Sequence, residues 1–333
     1  MRDVADAAGV SRSLVSTVFR GVPGASPTTR DRVLAAAADL GYRPSAHARM
    51  LRSRRSSLIG ITLTAVHPFH VEVTEALHED AELRGYQLSL SWTTARRTLH
   101  QAVDMLLAQR CAAIIHIGPT VPDAEMSALI ALAPDVPTVV VDRHLDLPDV
   151  DALRVDDAAG VRLAVEHLVA LGHRDIGHVD GGGYVSAEPR RAGYLAAMAA
   201  AGLADRVRVI PSGGTRAAGA ATALALLAAA DLPTALVAYN DQVAFGLMDV
   251  LLQRGVRVPQ DISIVGFDNV PEAGMPHLEL TTVEQRADRL AHVVSETVMA
   301  RLEGAAAGGL ALQAPGQLVV RGSTAPPGGS SRA

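Results

Sequence analysis

The 333-residue chain has one cysteine and no lysine. A single thiol excludes an internal disulfide framework. Cys111 lies in the apolar run Cys111-Ala-Ala-Ile-Ile115, which predicts a buried core thiol rather than a nucleophile. No apolar run reaches the roughly 20 residues that a membrane-spanning helix needs. The charged, amphipathic N-terminus lacks a secretory pattern, so a cytoplasmic protein with no membrane partner is expected. Phosphate-binding fingerprints are missing too. No Gly-x-Gly-x-x-Gly opens a helix after the first strand, no P-loop is present, and Gly181-Gly-Gly183 has the wrong spacing. These absences weigh against a nucleotide-dependent enzyme, and no catalytic residues, cofactor or metal are expected.

All thirty basic residues are arginine, and a net charge of −5 conceals a split. Residues 1–55 hold ten arginines against four acids, whereas the remainder holds twenty against thirty-one. A basic head on an acidic body predicts that only the head meets phosphates. Within that head, Val4, Ala5 and Ala8 form one small apolar helix face, and Gly9 supplies the left-handed residue that ends it. Ser11 is placed to cap a second helix, with Leu14, Val15 and Val18 on its back and Arg12, Ser13, Ser16 and Thr17 on its front. Two short helices around a tight glycine turn read as a helix-turn-helix, whose second helix offers side chains to base edges. Ordinary helical hairpins share that grammar, so the motif alone does not decide. Ser26 and Pro27 then open a third helix, with Val33, Leu34, Ala37 and Leu40 expected on its core face. Residues 45–57 are basic and too polar to bury a face. They read as a linker when free and as a helix when on DNA.

From Leu58 the pattern changes to buried strands alternating with helices. Strands are expected at 58–63, 86–92, 112–117 and 138–141, then at 175–179, 207–210, 235–238 and 262–265, with helices between them. This predicts two doubly wound parallel units, and a ligand in the cleft beyond their strand ends. His67-Pro-Phe69, Asp142-Arg143, Asn240-Asp241 and Asp268-Asn269 follow strands, and Glu188-Pro-Arg-Arg191 enters a helix. Carboxylates, an amide and a guanidinium around an apolar cleft suit the hydroxyls of a sugar-like ligand. Any one of these residues alone reads more readily as a helix cap or a surface ion pair.

The residues that now stand together resemble the lactose-repressor (LacI) family of transcriptional regulators over about residues 2–322. They are Asp3 to Ser11, Val15-Ser16, Arg30 to Val33, Gly41-Tyr-Arg-Pro44, Leu51, Leu58-Ile-Gly-Ile61, Pro68-Phe69, Val165 to Arg174, Arg191-Ala-Gly-Tyr194, Ala238 to Gln242 and Ile262 to Asp268. The resemblance implies a small all-α helix-turn-helix head and an α/β two-lobed periplasmic-binding-protein-like core with two doubly wound parallel sheets. It further implies a homodimer on a palindromic operator, controlled by a small effector, most readily a carbohydrate. The corresponding domains are 1–44 (DNA-binding), 45–57 (hinge), 58–322 (effector and dimerisation core) and a disordered tail at 323–333. Within the core the N-lobe would take 58–155 plus 286–313, and the C-lobe 156–285 plus 314–322.

By position the resemblance assigns Ser11, Arg12, Ser13, Ser16 and Thr28 to DNA, with Ala48 and Leu51 in the minor groove; Thr17 and Arg20 are DNA candidates at positions where the family usually carries other residues. It assigns Phe69, Asp142, Arg190, Asn240 and Asp268 to the effector. The aromatic that family members place near Gly214 is missing from Ser212-Gly-Gly-Thr215. A flat effector stacked from that position is therefore not expected. The alternative is a periplasmic-type sugar-binding protein without a DNA role. The basic head and the lack of a signal pattern speak against it.

Overall fold

A computed structural model describes residues 1–19, 23–42, 56–64, 68–143, 145, 147, 150–305, 311–314 and 316–328. The chain divides into two compact units, Met1–Ser57 and Leu58–Ala333.

The first unit packs α1 (Arg2–Ala8), α2 (Arg12–Phe19) and α3 (Pro27–Asp39) around Val4, Ala5, Ala8, Val15, Val18, Val33 and Ala37. Gly9 ends α1 at φ 62°, and the next amide, that of Val10, bonds back to the Ala5 carbonyl. A side chain at Gly9 would have to enter the left-handed region, which costs about 1 kcal/mol or more. Ser26 caps α3 by accepting from the Thr29 amide at 3.2 Å. Leu34 and Leu40, expected on the core face of α3, are exposed by 45% and 51%. Val33 and Ala37, one turn apart, fill the narrow core. Leu34 lies beside that stripe, and Leu40 falls beyond the last helical residue.

The second unit holds two six-stranded sheets. The N-lobe sheet runs β11-β5-β4-β3-β1-β2, from β1 (Leu58–Thr64), β2 (Gln87–Thr93), β3 (Ala113–Ile117), β4 (Thr138–Val141), β5 (Asp151–Val155) and β11 (Ala311–Ala314), all parallel. One face is covered by α4 (Pro68–Leu83) and α11 (Ala287–Leu302), the other by α5 (Leu99–Ala108) and α6 (Asp123–Ala131). The C-lobe sheet runs β12-β10-β9-β8-β6-β7, from β6 (Ile176–Val179), β7 (Arg208–Ile210), β8 (Ala235–Ala238), β9 (Ser263–Asp268), β10 (Thr281–Glu284) and an antiparallel β12 (Gln317–Val319). Here α7 (Asp157–Ala170) and α8 (Ala187–Ala200) cover one face, and α9 (Arg216–Ala228) and α10 (Asp241–Gln253) the other. The two lobes therefore share one strand order, and differ in the direction of the last strand. Near-continuous apolar strands such as Leu236-Val-Ala238 follow from burial on both faces.

The expected disordered tail, 323–333, needs correction over its described part. Ser323 is 1% exposed; it donates to the Ile264 carbonyl at 2.6 Å and accepts from the Thr281 amide at 2.8 Å. The Ala325 carbonyl accepts from Ser263 Oγ and from His173 Nε2. Small polar residues with little apolar surface look disordered by composition, but buried hydrogen bonds fix them here. His173 is thereby a structural hydrogen bonder, held also by Thr234. Cys111 is buried in the N-lobe, and burial pushes its thiol up to about 11. Among the described residues no helix is long and apolar enough to cross a membrane.

Candidate functional site

In the first unit, α2 separates two chemistries on one short cylinder. Val15 and Val18 are buried, while Arg12 and Ser13 are exposed and Ser16 and Thr17 are half-buried. The Ser11 hydroxyl accepts from the Leu14 amide at 3.2 Å, so it caps α2, and it shares a 2.8 Å hydrogen bond with Ser13. Thr17 donates to the Ser13 carbonyl one turn back. Among the described residues Arg12 has no ion-pair partner, which leaves its guanidinium fork available. Thr28, in the first turn of α3, is exposed beside Ser26. Arg20, Ala48 and Leu51 lie outside the described residues, as does His67.

In the second unit, the strand-end residues gather between the lobes. Asp142 follows β4 at φ 59°, and Asp268 ends β9 at φ 124°. Aspartate tolerates positive φ better than most residues, but such positions still store about 1–3 kcal/mol each and cluster at binding sites. Asp142 Oδ2 lies 2.8 Å from His70 Nε2 in the first turn of α4. Gly118, after β3, makes room for that imidazole: a Cβ there would fall 2.1 Å from His70 Cε1. Phe69, the neighbouring expected contact, is instead buried in the N-lobe core with Val73 and Leu77. The polar reach of this turn belongs to His70.

The C-lobe wall is built on Arg190, which is 2% exposed. Its Nε donates to Asp157 Oδ1 at 2.7 Å and its Nη1 to the Tyr239 carbonyl at 2.6 Å. The guanidinium lies 3.7 Å from the Phe267 ring centroid and 4.8 Å from that of Tyr239. Burial works against its charge, but the Asp157 carboxylate overrides this and raises the pKa further. Asp157 itself is pushed up by burial, with Arg190 opposing. Asp268 sits 3.9 Å from Arg190 Nη2 and accepts from Gln285 Nε2. Burial, more than the acids Asp142 and Asp157, pushes it up to about 7, against the pull of Arg190. Asn240 caps α10 through the Val243 amide and donates to the Gly214 carbonyl. Its cap role is therefore real, whatever else it binds.

A cavity of about 460 Å3 opens beside this cluster, lined by Asp142, Arg143, Arg154, Asp157, Val185, Ser186, Glu188, Pro189 and Ala192. That volume fits a small metabolite. Four residues escaped sequence reasoning: His70, Glu72, Gln285 and Tyr184. Glu72 of α4 is half-buried. Burial and the facing Asp268 push its carboxyl up to about 7. Tyr184 fills the place of the missing aromatic. A Cβ on Gly214 would lie 2.8 Å from its ring, and that ring tilts against Tyr239 at 5.6 Å. An aromatic surface near Gly214 thus comes from the loop before α8, which no local signal at 214 could reveal. Among the described residues no cluster of His, Cys, Asp and Glu could hold a metal ion.

Residues 1–45 match the model of bacterial regulatory proteins of the lacI family, and residues 165–324 match a periplasmic binding protein-like domain. The chain is 33% identical over 304 residues to the HTH-type transcriptional regulator GalR of Escherichia coli K12, covering 90% of this chain and 88% of that one. It is 32% identical over 306 residues to the HTH-type transcriptional repressor PurR of Photobacterium profundum, covering 91% and 92%. Among solved structures, a lac repressor dimer bound to operator and the anti-inducer ONPF superposes with a TM-score of 0.82 at 30% identity, covering 97% of this chain and 98% of that one.

Proposed function

The chain belongs to the lacI family of bacterial regulatory proteins, and on that premise we propose that it acts as a homodimeric repressor whose operator affinity is set by a small sugar in the cleft. It is a DNA-binding transcriptional regulator of the helix-turn-helix type. The observation that carries the reading is the division of α2: a back of buried valines and a front with exposed Arg12 and Ser13.

In this reading Arg12 and Ser13 read base edges, and Ser11, Ser16, Thr17, Arg20 and Thr28 serve phosphates, caps or neighbouring bases. Ala48 and Leu51 enter the minor groove, where an apolar wedge kinks DNA and gives specificity through deformability. Asp142, Arg190, Asn240 and Asp268 hold the effector, with Phe69 shaping the N-lobe wall behind His70. The cleft is then a binding site and not a catalytic one, and a cytoplasmic location follows from the role. Control follows from linkage. A sugar that distinguishes two arrangements of the lobes by about 1–3 kcal/mol shifts operator affinity by the same amount.

The test is selection of bound duplexes from a random-sequence pool with the full-length protein. Expected is enrichment of a palindromic site, with Arg12→Ala losing about 1–3 kcal/mol on that site and relaxing its sequence preference. A pool that never enriches contradicts the regulator reading.

A further inference from the structure

Resting on the reading of the cleft as an effector site, we propose that it selects by charge: its ligand is a polyol without an acidic group, either uncharged or amine-bearing, and sugar phosphates and sugar acids are refused.

The positive charges near the cleft are already engaged. Arg190 is held by Asp157 and by the Tyr239 carbonyl between two rings. Arg143 donates to the Pro119 and Val121 carbonyls and to Asp123, and Arg191 donates to Asp180. Among the described residues that leaves Arg154, which shares the cavity wall with Asp142, Asp157 and Glu188.

Acceptors, by contrast, are in surplus. Gln285 is 1% exposed; its amide nitrogen serves Asp268, while its buried oxygen accepts no hydrogen bond. A buried acceptor without a donor costs about 1–3 kcal/mol, which a ligand hydroxyl or ammonium could recover. Across the cleft stands Glu72, and the charges acting on it most strongly (Asp268, Glu75, Glu284 and Glu272) are all acidic. Asp268 in turn faces Asp142, Asp157 and Asp241, with Arg190 as the main opposing charge. Above about pH 7, where Glu72 and Asp268 have lost their protons, an entering phosphate or carboxylate would meet like charge from both lobes in a partly dry setting, where repulsion is weakly screened. A ligand rich in O–H or N–H donors meets the groups that lack partners.

The test compares matched ligands on the full-length protein at pH 7.5. Glucose is set against glucosamine, glucuronate and glucose 6-phosphate; galactose against galactosamine and galacturonate; and ribose against ribose 5-phosphate. Melting temperature is read first, then Kd by calorimetry. Expected is a rise in melting temperature with at least one neutral or amine-bearing member, and at least ten-fold weaker binding of its acidic counterpart. In Glu72→Gln, an isosteric change on a half-buried helix face, that gap should narrow at least three-fold. Charge selection is overturned if an acidic member binds as tightly as its neutral parent, if no neutral or amine-bearing member raises the melting temperature, or if Glu72→Gln leaves the gap unchanged. None of these results bears on duplex binding. Charge selection and the regulator reading therefore fail by separate experiments.

Discussion

The two lobes solve one topological problem with different chemistry. Each follows the order strand, helix, strand around a parallel sheet, and each places an aspartate with positive φ at the end of the corresponding strand, Asp142 after β4 and Asp268 in β9. In each, the first turn of the corresponding helix supplies the nearest basic group: His70 from α4 and Arg190 from α8. The N-lobe pair joins the His70 imidazole to the Asp142 carboxylate at 2.8 Å. The C-lobe pair is embedded in a network of Asp157, Tyr239, Phe267 and Gln285. The C-lobe wall is thus a rigid, preformed surface. The N-lobe wall is built on an imidazole instead of a guanidinium and brings the half-buried Glu72 toward Asp268.

If that contrast is right, Arg190→Ala should be the most damaging change in the cleft. It strands the buried Asp157 carboxylate and empties the space between two rings. The expected loss is about 3–5 kcal/mol in urea unfolding. Gly118→Ala should cost about 1–2 kcal/mol, since the residue sits at φ 55° and its new Cβ would strike the His70 ring. His70→Ala should cost about 0.5–1.5 kcal/mol, from loss of its mostly buried hydrogen bond to Asp142. Equal costs for His70→Ala and Arg190→Ala would erase the distinction between the walls.

The smallest effect is on pH dependence. Glu72 and Asp268 keep their protons up to about pH 7 in the folded chain and lose them at lower pH when unfolded. They favour the fold most below about pH 4, and that contribution fades as pH rises through 7. The melting temperature of the wild type should therefore fall more between pH 5 and pH 8 than that of Glu72→Gln. Parallel curves would remove Glu72 from the facing pair.

The sequence made the repeating units legible because strands buried on both faces carry unbroken apolar runs, as in Ala113-Ile-Ile-His-Ile117. Three strands with charged or hydroxylated residues escaped that reading: Asp151-Ala-Leu-Arg-Val155, Thr281-Thr-Val-Glu284 and Gln317-Leu-Val319 take their identity from neighbours already in place. The site followed the same division. As candidates, Asp142, Asn240 and Asp268 were readable from strand-end position, Arg190 from a helix start, and all four from family resemblance. Gln285 and Glu72 depend on which lobe the chain returns to, and Tyr184 on a loop folding across Gly214. No local pattern encodes those approaches.

The proposed function makes the molecule a switch through coupling between the two units. The direct measurement is Kd for the selected duplex at fixed ionic strength, without ligand and with a saturating sugar that raises the melting temperature. Expected is a change of at least ten-fold, about 1.4 kcal/mol, that disappears in Asp268→Asn while ligand-free duplex binding persists. A Kd that ignores the bound sugar contradicts the coupling.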